Sequence, residues 1–322
     1  MIRVVITGAN GFVGKNLLES MSPEIFEPIW FTSKDVDLRE FSEFKSILDW
    51  QRPSYVVHLA GRVGGITDNA NNQKEFLETN LAINTNVIRA VDELKIPTIS
   101  LSSSCCYPLY EQDKYPVSES DFHIGNFEKT NYTYALAKAS MMKQIELSNN
   151  QHICYIPCNL VGKHDHFGKA GAHFVPAMIA KLLQAKQEGK EKIRLLGTGK
   201  SLRQFMYVGD LCDIIRGTLF NNKAAWEERG RFVNVGPQRN LSIKEASEII
   251  RDKFAPELEI EFDGRYEYDG IYRKDISDAK FQSYYANIED PHRPGVAGGY
   301  DFEYTDFEEM VDILKNENLS IT

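Results

Sequence analysis

Cysteine is sparse and irregularly placed in this chain. Cys105, Cys106, Cys154, Cys158 and Cys212 form an odd set of five with no paired CxxC spacing. That spacing excludes a zinc ribbon or a small disulfide scaffold, so no metal site and a reducing, cytoplasmic setting are expected. Positive charge is also in deficit. Against 46 Asp and Glu stand 37 Lys and Arg, a formal net charge of -9 with a pI near 5.4. Such a balance argues against nonspecific binding to nucleic acid or to an anionic membrane surface. No uninterrupted apolar run approaches membrane-spanning length, and there is no internal repeat or low-complexity tract. The opening stretch MIRVVITGANG enters a strand pattern at once, without a charged leader or an apolar signal core ahead of it.

What is present is a rhythm. RVVIT, EPIWFT, SYVVHLAG, PTISLSS and ICYIPCNLVG read as strands, separated by amphipathic stretches with helical spacing. Among the helices are GFVGKNLLESM, DLREFSEFKSILDWQ with Asp37 as its cap, KEFLETNLAINTNVIRAVDEL and YTYALAKASMMKQIELSNN. Strand and helix in alternation predict an α/β fold, a doubly wound parallel sheet with helices on both faces. Ligands then bind outside the carboxyl ends of the strands. After about residue 165 the rhythm loosens. The helix HFVPAMIAKLLQAKQEG, a helix capped by Ser242, an aromatic and charged stretch and the turn-rich EDPHRPGVAGGYDF predict a smaller substrate-binding lobe. The division expected is 1–165, with part of 200–245 returning to it, against 166–322.

The turn TGANGFVG places Gly8, Gly11 and Gly14 in GxxGxxG spacing between the first strand and the first helix, with Phe12 and Val13 opening that helix. Glycines there allow a tight turn and close backbone approach, and the helix N-terminus offers N–H groups to a pyrophosphate. A dinucleotide cofactor is expected. At the end of the second strand, Ser33 and Lys34 favour a 2'-phosphate and hence NADP(H), while Asp35 beside them pulls toward a free ribose hydroxyl.

Tyr134 and Lys138 stand four apart on a predicted helix and therefore share a face. An ammonium beside a phenol is expected to lower the phenol toward neutrality, fitting it to move a proton at a carbonyl or carbinol oxygen. Ser103, ending the preceding strand, is placed to hold the same oxygen.

With these motifs in hand, the chain resembles the extended short-chain dehydrogenases/reductases that modify nucleotide sugars, and within them the GDP-L-fucose synthase family of 3,5-epimerase/4-reductases. HLAGRVGGI (58–66) is similar to that family's HLAAKVGGI, SSCCYP (103–108) to SSCIYP, and NLVGKHDHFG (159–168) to NLYGPHDNFH. RQFMYVGDL (203–211) is similar to REFLHVDDL, and DGIYRKDIS (269–277) to DGTPRKLLD. The resemblance implies NADP(H) as cofactor and a GDP-linked 4-keto-6-deoxy sugar as substrate. It implies Ser103, Tyr134 and Lys138 for reduction at C4, with Cys105 and His173 moving the C3 and C5 protons. Asp37 and Leu38 would meet adenine. Leu59, Ala60, Gly61, Asn159 and Leu160 would lie along the cofactor, and Gly64, Gly65, Ser104 and Asn159 near the sugar. Lys181, Leu196, Arg203 and Lys274 would contact the nucleotide-sugar, the three cations at its phosphates. It further implies a homodimer through a four-helix bundle of the helices at about 74–95 and 132–149.

The chain departs from the family at several points. The phosphate loop lacks the histidine and arginine usual between the glycines, Leu196 stands where a tryptophan is common, and Gly209 replaces an acidic residue. The Cys105–Cys106 doublet leaves open which thiol faces the site, since strand alternation would put them on opposite sides. Three alternatives therefore stand beside the main reading: C4 reduction without epimerisation, an NAD-dependent 4-epimerase, and a nucleotide-sensing scaffold. An intact Ser103, Tyr134 and Lys138 set argues against the last, and Lys34 against the second.

Overall fold

The structure is a computed structural model that describes residues 1–64, 66–168, 172–220, 230–285 and 302–317. Gly65 and nearly all of the turn-rich stretch at 289–302 lie outside the described residues.

The first strand, β1 (Ile2–Thr7), sends Val4 and Ile6 into one core and Val5 into another. Alternate side chains point to opposite faces, so a strand apolar on both must be covered on both. β2 (Phe26–Trp30), β3 (Tyr55–His58), β4 (Thr98–Leu101), β5 (His152–Pro157) and, late in the chain, Phe232–Val235 join it in one parallel sheet. With β6 (Asn159–Val161), β7 (Lys192–Leu195), β8 (Leu202–Arg203) and β9 (Phe205–Tyr207) preceding it, that late strand is β10; β11 (Leu241–Ser242) and β12 (Glu259–Phe262) follow. The sheet order is β10-β5-β4-β3-β1-β2. The order reverses at β1, which opens a crevice at the carboxyl ends of β1, β3 and β4.

One face is covered by α1 (Phe12–Ser20) and by Val208–Phe220, through Leu17, Leu211 and Ile215, while Tyr132–Leu147 packs beside Gln73–Leu94, whose Asn84 donates to the Ala137 carbonyl. The other face is covered by α2 (Phe41–Gln51) through Phe44 and Leu48, and by Gln73–Leu94 through Val87 and Val91. In chain order α3 is the short Ile66–Asn71, α4 is Gln73–Leu94, α5 is Tyr132–Leu147, α6 is Phe174–Gln187 and α7 is Val208–Phe220. They are followed by α8 (Ile243–Phe254), α9 (Ala279–Tyr285) and α10 (Phe307–Asn316).

A separate core joins Met178, Ile179 and Leu182 of α6 to Ile250 of α8 and to Phe307, Met310 and Leu314 of α10. Around it, β7 pairs with β12, β6 with β9 and β8 with β11. The chain crosses back to the first core in α7 and β10.

Three local expectations are corrected. Asp37 does not cap α2: the helix begins at Phe41 after Glu40, because the Asp37 carboxylate is taken by the Arg39 backbone N–H and Nε, each at 2.9 Å. ICYIPCNLVG is two strands, since at Cys158 the chain leaves β4 and β10 to pair with β9. The Cys105–Cys106 doublet is not on a strand. β4 stops at Leu101, and Ser104–Cys106 form a 3-10 turn capped by the Ser103 hydroxyl, which accepts the Cys105 N–H at 3.3 Å.

Candidate active site

The β1–α1 turn is built on steric necessity. Gly8 has φ +72°, and a Cβ there would lie 2.6 Å from the Ala60 nitrogen. Leu59 and Ala60 therefore run directly against the turn, and Gly61 follows, where a Cβ would lie 3.1 Å from Asn80 Oδ1 and 3.9 Å from Lys138 Nζ. Gly14 is equally confined, because a Cβ would enter the Gly8 carbonyl oxygen. Gly11, at the N-cap of α1, donates its N–H to the Gly8 carbonyl at 2.9 Å and brings no side chain to the helix end. The N–H groups of Phe12, Val13 and Gly14 thus open onto the crevice at the positive end of the helix, the cradle a pyrophosphate requires.

Beneath this turn lies a buried polar relay. Thr7 Oγ1 is 2.8 Å from His58 Nδ1, and His58 Nε2 is 3.1 Å from Asn84 Oδ1. Burial, with the Lys138 charge second, pushes His58 down to about 3, so it serves as a neutral spacer that fixes the end of β3. Asn80 then clamps Arg62 through both its backbone groups, at 2.8 and 3.0 Å, and Asn69 donates to the Gly64 carbonyl at 2.6 Å.

At the cofactor's expected ribose, Ser33 and Lys34 are exposed. Asp35 is folded back onto its own turn, accepting the Thr32 N–H at 2.9 Å and the Thr32 hydroxyl at 2.7 Å. Its carboxylate is occupied locally by these two bonds. Leu38 packs on the α2–α4 core. Arg39, in the same loop, is held by Asp37 through its Nε at 2.9 Å and its Nη2 at 2.6 Å.

On α5, the buried Lys138 donates its Nζ to the Leu101 carbonyl at 2.8 Å, at the last residue of β4. Tyr134 stands one turn earlier. The expected lowering of its phenol is not found: burial, followed by Cys105 and Cys106, pushes it well up. Lys138 is engaged with the strand end, so in this structure desolvation dominates. A phenol kept protonated is the form needed to give a proton to a developing alkoxide.

The two thiols separate clearly. Cys106 is fully buried, and burial pushes it up to about 12; Cys105 is half-buried and open to a cavity. Tyr134 and Arg203 both lie within electrostatic reach of Cys105, and Lys274 Nζ is 3.6 Å from its sulfur. His173, at the N-cap of α6, turns its Nδ1 to Asp165, 3.3 Å away. That bond raises the imidazole above its usual value against an opposing effect of burial and of Lys274.

The remaining expected residues divide into groups. Asn159 donates to the Gln204 carbonyl at 2.7 Å, tying β6 to the segment that carries Arg203, and Leu160 packs into the first core. Arg203 donates to the Leu202 and Ile271 carbonyls at 2.7 and 2.9 Å. Lys181 reaches the Arg194 carbonyl at 2.5 Å, beside the exposed Leu196, so these two lie at the end of β7. Ser104 is buried under the cavity. Glu128 and Asn131 line the cavity together with Cys105, and no sequence motif announces them. Glu128 is the acidic cap of the turn before α5, where it accepts the Thr130 and Asn131 N–H groups at 3.0 and 3.1 Å. Asp165 was missed as well, although it stands inside the quoted NLVGKHDHFG.

Comparison with known proteins places these features. The family described as "NAD dependent epimerase/dehydratase family" matches residues 4–236. GDP-L-colitose synthase of Yersinia pseudotuberculosis is 35% identical over 255 residues, 77% of this chain and 81% of that protein. GDP-L-fucose synthase of Azorhizobium caulinodans is 36% identical over 253 residues, 77% and 79% of the two chains. The crystal structure of a GDP-L-fucose synthetase from Naegleria fowleri bound to NADP superposes with a TM-score of 0.81 at 29% identity, over 98% of this chain and 91% of that one.

Proposed function

Since the chain belongs to the NAD dependent epimerase/dehydratase family, as a nucleotide-sugar epimerase/reductase, we propose that it is an NADPH-dependent 3,5-epimerase/4-reductase of a GDP-linked 4-keto-6-deoxy sugar. One observation carries the reading: the half-exposed cysteine of the five lies within electrostatic reach of Tyr134 and 3.6 Å from Lys274 Nζ, and Lys274 in turn is within electrostatic reach of His173, which is paired to Asp165. Residues 1–165, with part of 200–245, hold the cofactor, and 166–322 the nucleotide-sugar.

The carbonyl at C4 acidifies the protons at C3 and C5. Cys105, as thiolate, takes one of these protons, and the C–H electron pair becomes an enolate with its charge on the C4 oxygen. His173, held protonated by Asp165, returns a proton to the opposite face of the ring. Bound NADPH supplies hydride to C4. Tyr134 gives its phenolic proton to the C4 oxygen as that charge develops, Ser103 donates a second hydrogen bond there, and Lys138 fixes the helix face against β4. Lys34 and Ser33 face the 2'-phosphate, and the uncapped start of α1 faces the pyrophosphate. Lys181 and Arg203 serve the GDP phosphates. Two copies pair through α4 and α5, for which the mass in solution is the check.

The test is NADPH consumption on addition of GDP-4-keto-6-deoxymannose, followed by the loss of nicotinamide absorbance. One NADPH oxidised per sugar reduced is expected. Interconversion of a sugar at C4 without net loss of NADPH would replace the reading by a 4-epimerase.

A further inference from the structure

The family resemblance implies Lys274 at the nucleotide's phosphates. The segment that carries it is fixed on both sides. Tyr272 accepts the Leu202 N–H at 2.7 Å, Asp275 accepts the Val117 N–H at 3.0 Å, and Gln204 Oε1 accepts the Ile276 N–H at 3.0 Å. Arg273 turns to Asp275, with Nε–Oδ1 at 2.7 Å and Nη2–Oδ2 at 2.6 Å, so its charge is compensated. Lys274 points the other way, into the cavity beside Cys105. Among the described residues it has no carboxylate partner, and its Nζ rests 3.6 Å from the Cys105 sulfur. The other groups facing that sulfur are Arg203, Tyr134 and Cys106, and His173 faces Lys274 in turn.

We propose that Lys274 is the ammonium partner of the Cys105 thiolate, a positioning residue for proton abstraction and not a ligand of the GDP phosphates. The inference rests on the function proposed above, since only there does the thiolate act as a base. An ammonium at this range attracts a sulfur anion and holds it at the cavity wall, while Arg203 is half-committed to the Leu202 and Ile271 carbonyls. When Cys105 accepts its proton the sulfur becomes neutral, and the Lys274 charge is left facing the cavity where the enolate has formed.

The first readout needs no turnover. Alkylation of Cys105, in which the sulfur forms a bond to carbon and iodide leaves, is measured by mass spectrometry with anionic iodoacetate and neutral iodoacetamide. The four other cysteines are buried and serve as an internal reference. Lys274→Met should lower the iodoacetate-to-iodoacetamide rate ratio at Cys105 by about tenfold, and Lys274→Arg should restore it. The second readout is GDP affinity by calorimetry, which should stay within about twofold in Lys274→Met and weaken by about tenfold in Lys181→Met. With substrate, Lys274→Met should lose kcat with little change in KM. An unchanged alkylation ratio together with weakened GDP binding would overturn the proposal and return Lys274 to the phosphates. Because alkylation is read on the free protein, a wild type that alkylates as expected but turns over no GDP-sugar would instead sink the functional reading.

Discussion

The imidazole of His173 is held by a carboxylate that solvent scarcely reaches. Asp165 Oδ2 and Oδ1 lie 3.3 and 3.4 Å from His173 Nδ1, and the Asp165 side chain is 1% exposed while that of His173 is 47% exposed. Asp165 is itself fixed, accepting the His166 N–H at 2.8 Å. His173 sits at the N-terminus of α6, where the helix dipole disfavours a cation. The carboxylate outweighs that, and the imidazole is raised. Nε2 is thereby left as the nitrogen directed away from Asp165.

A pH dependence follows from the raised imidazole. As a proton donor His173 works only while charged, so activity is lost as pH rises through its folded-state value. Asp165→Asn removes the main cause of the elevation. The alkaline limb of kcat should move to lower pH, with kcat at neutral pH reduced by about 10- to 100-fold, read from initial rates across pH 5 to 9.

The two neighbouring thiols should behave differently. Cys105→Ser should slow exchange of the C3 and C5 protons by about 100- to 10,000-fold while NADPH still protects the protein against thermal unfolding. Cys106→Ala removes a sulfur that is fully buried and held protonated, so exchange should persist with stability reduced by about 1 kcal/mol. Proton exchange by NMR and thermal melts separate the two effects.

Cofactor choice is predicted to rest on Lys34. With Asp35 tied to Thr32, Lys34→Glu should raise the KM for NADPH about tenfold or more and leave the KM for NADH nearly unchanged, narrowing the preference between them. Equal effects on both cofactors would place the 2'-phosphate elsewhere.

Gly8→Ala forces a side chain into φ +72° and against the Ala60 backbone. The cost should be about 1 to 3 kcal/mol, a few degrees of Tm for a chain of this size. The added stability that NADPH confers should be lost along with it.

Much of this was readable from the chain alone because it depends on local period. β1 is apolar on both faces, so a parallel sheet with helices on each side follows from RVVIT and from the alternation of such runs with helical stretches; the glycines of the β1–α1 turn follow from their place between a strand and a helix. What the sequence misjudged depends on which remote segment arrives. Cys105 meets Lys274 because Val117 bridges to Ile276, a pairing that no spacing announces. The sequence suggests Asp37 as a cap because its actual partner, Arg39, is an exposed loop residue with no periodic signature. The phenol of Tyr134 was expected low from Lys138 alone, but two thiols and the depth of the site act against it.

The measurement that bears most directly on the account is one turnover of GDP-4-keto-6-deoxymannose with NADPH in D2O, with the product read by NMR. Reduced sugar carrying deuterium at both C3 and C5 is the predicted result, abolished in Cys105→Ser. Reduced sugar with no ring deuterium would contradict the account, leaving a C4 reductase in which Cys105 and His173 move no protons.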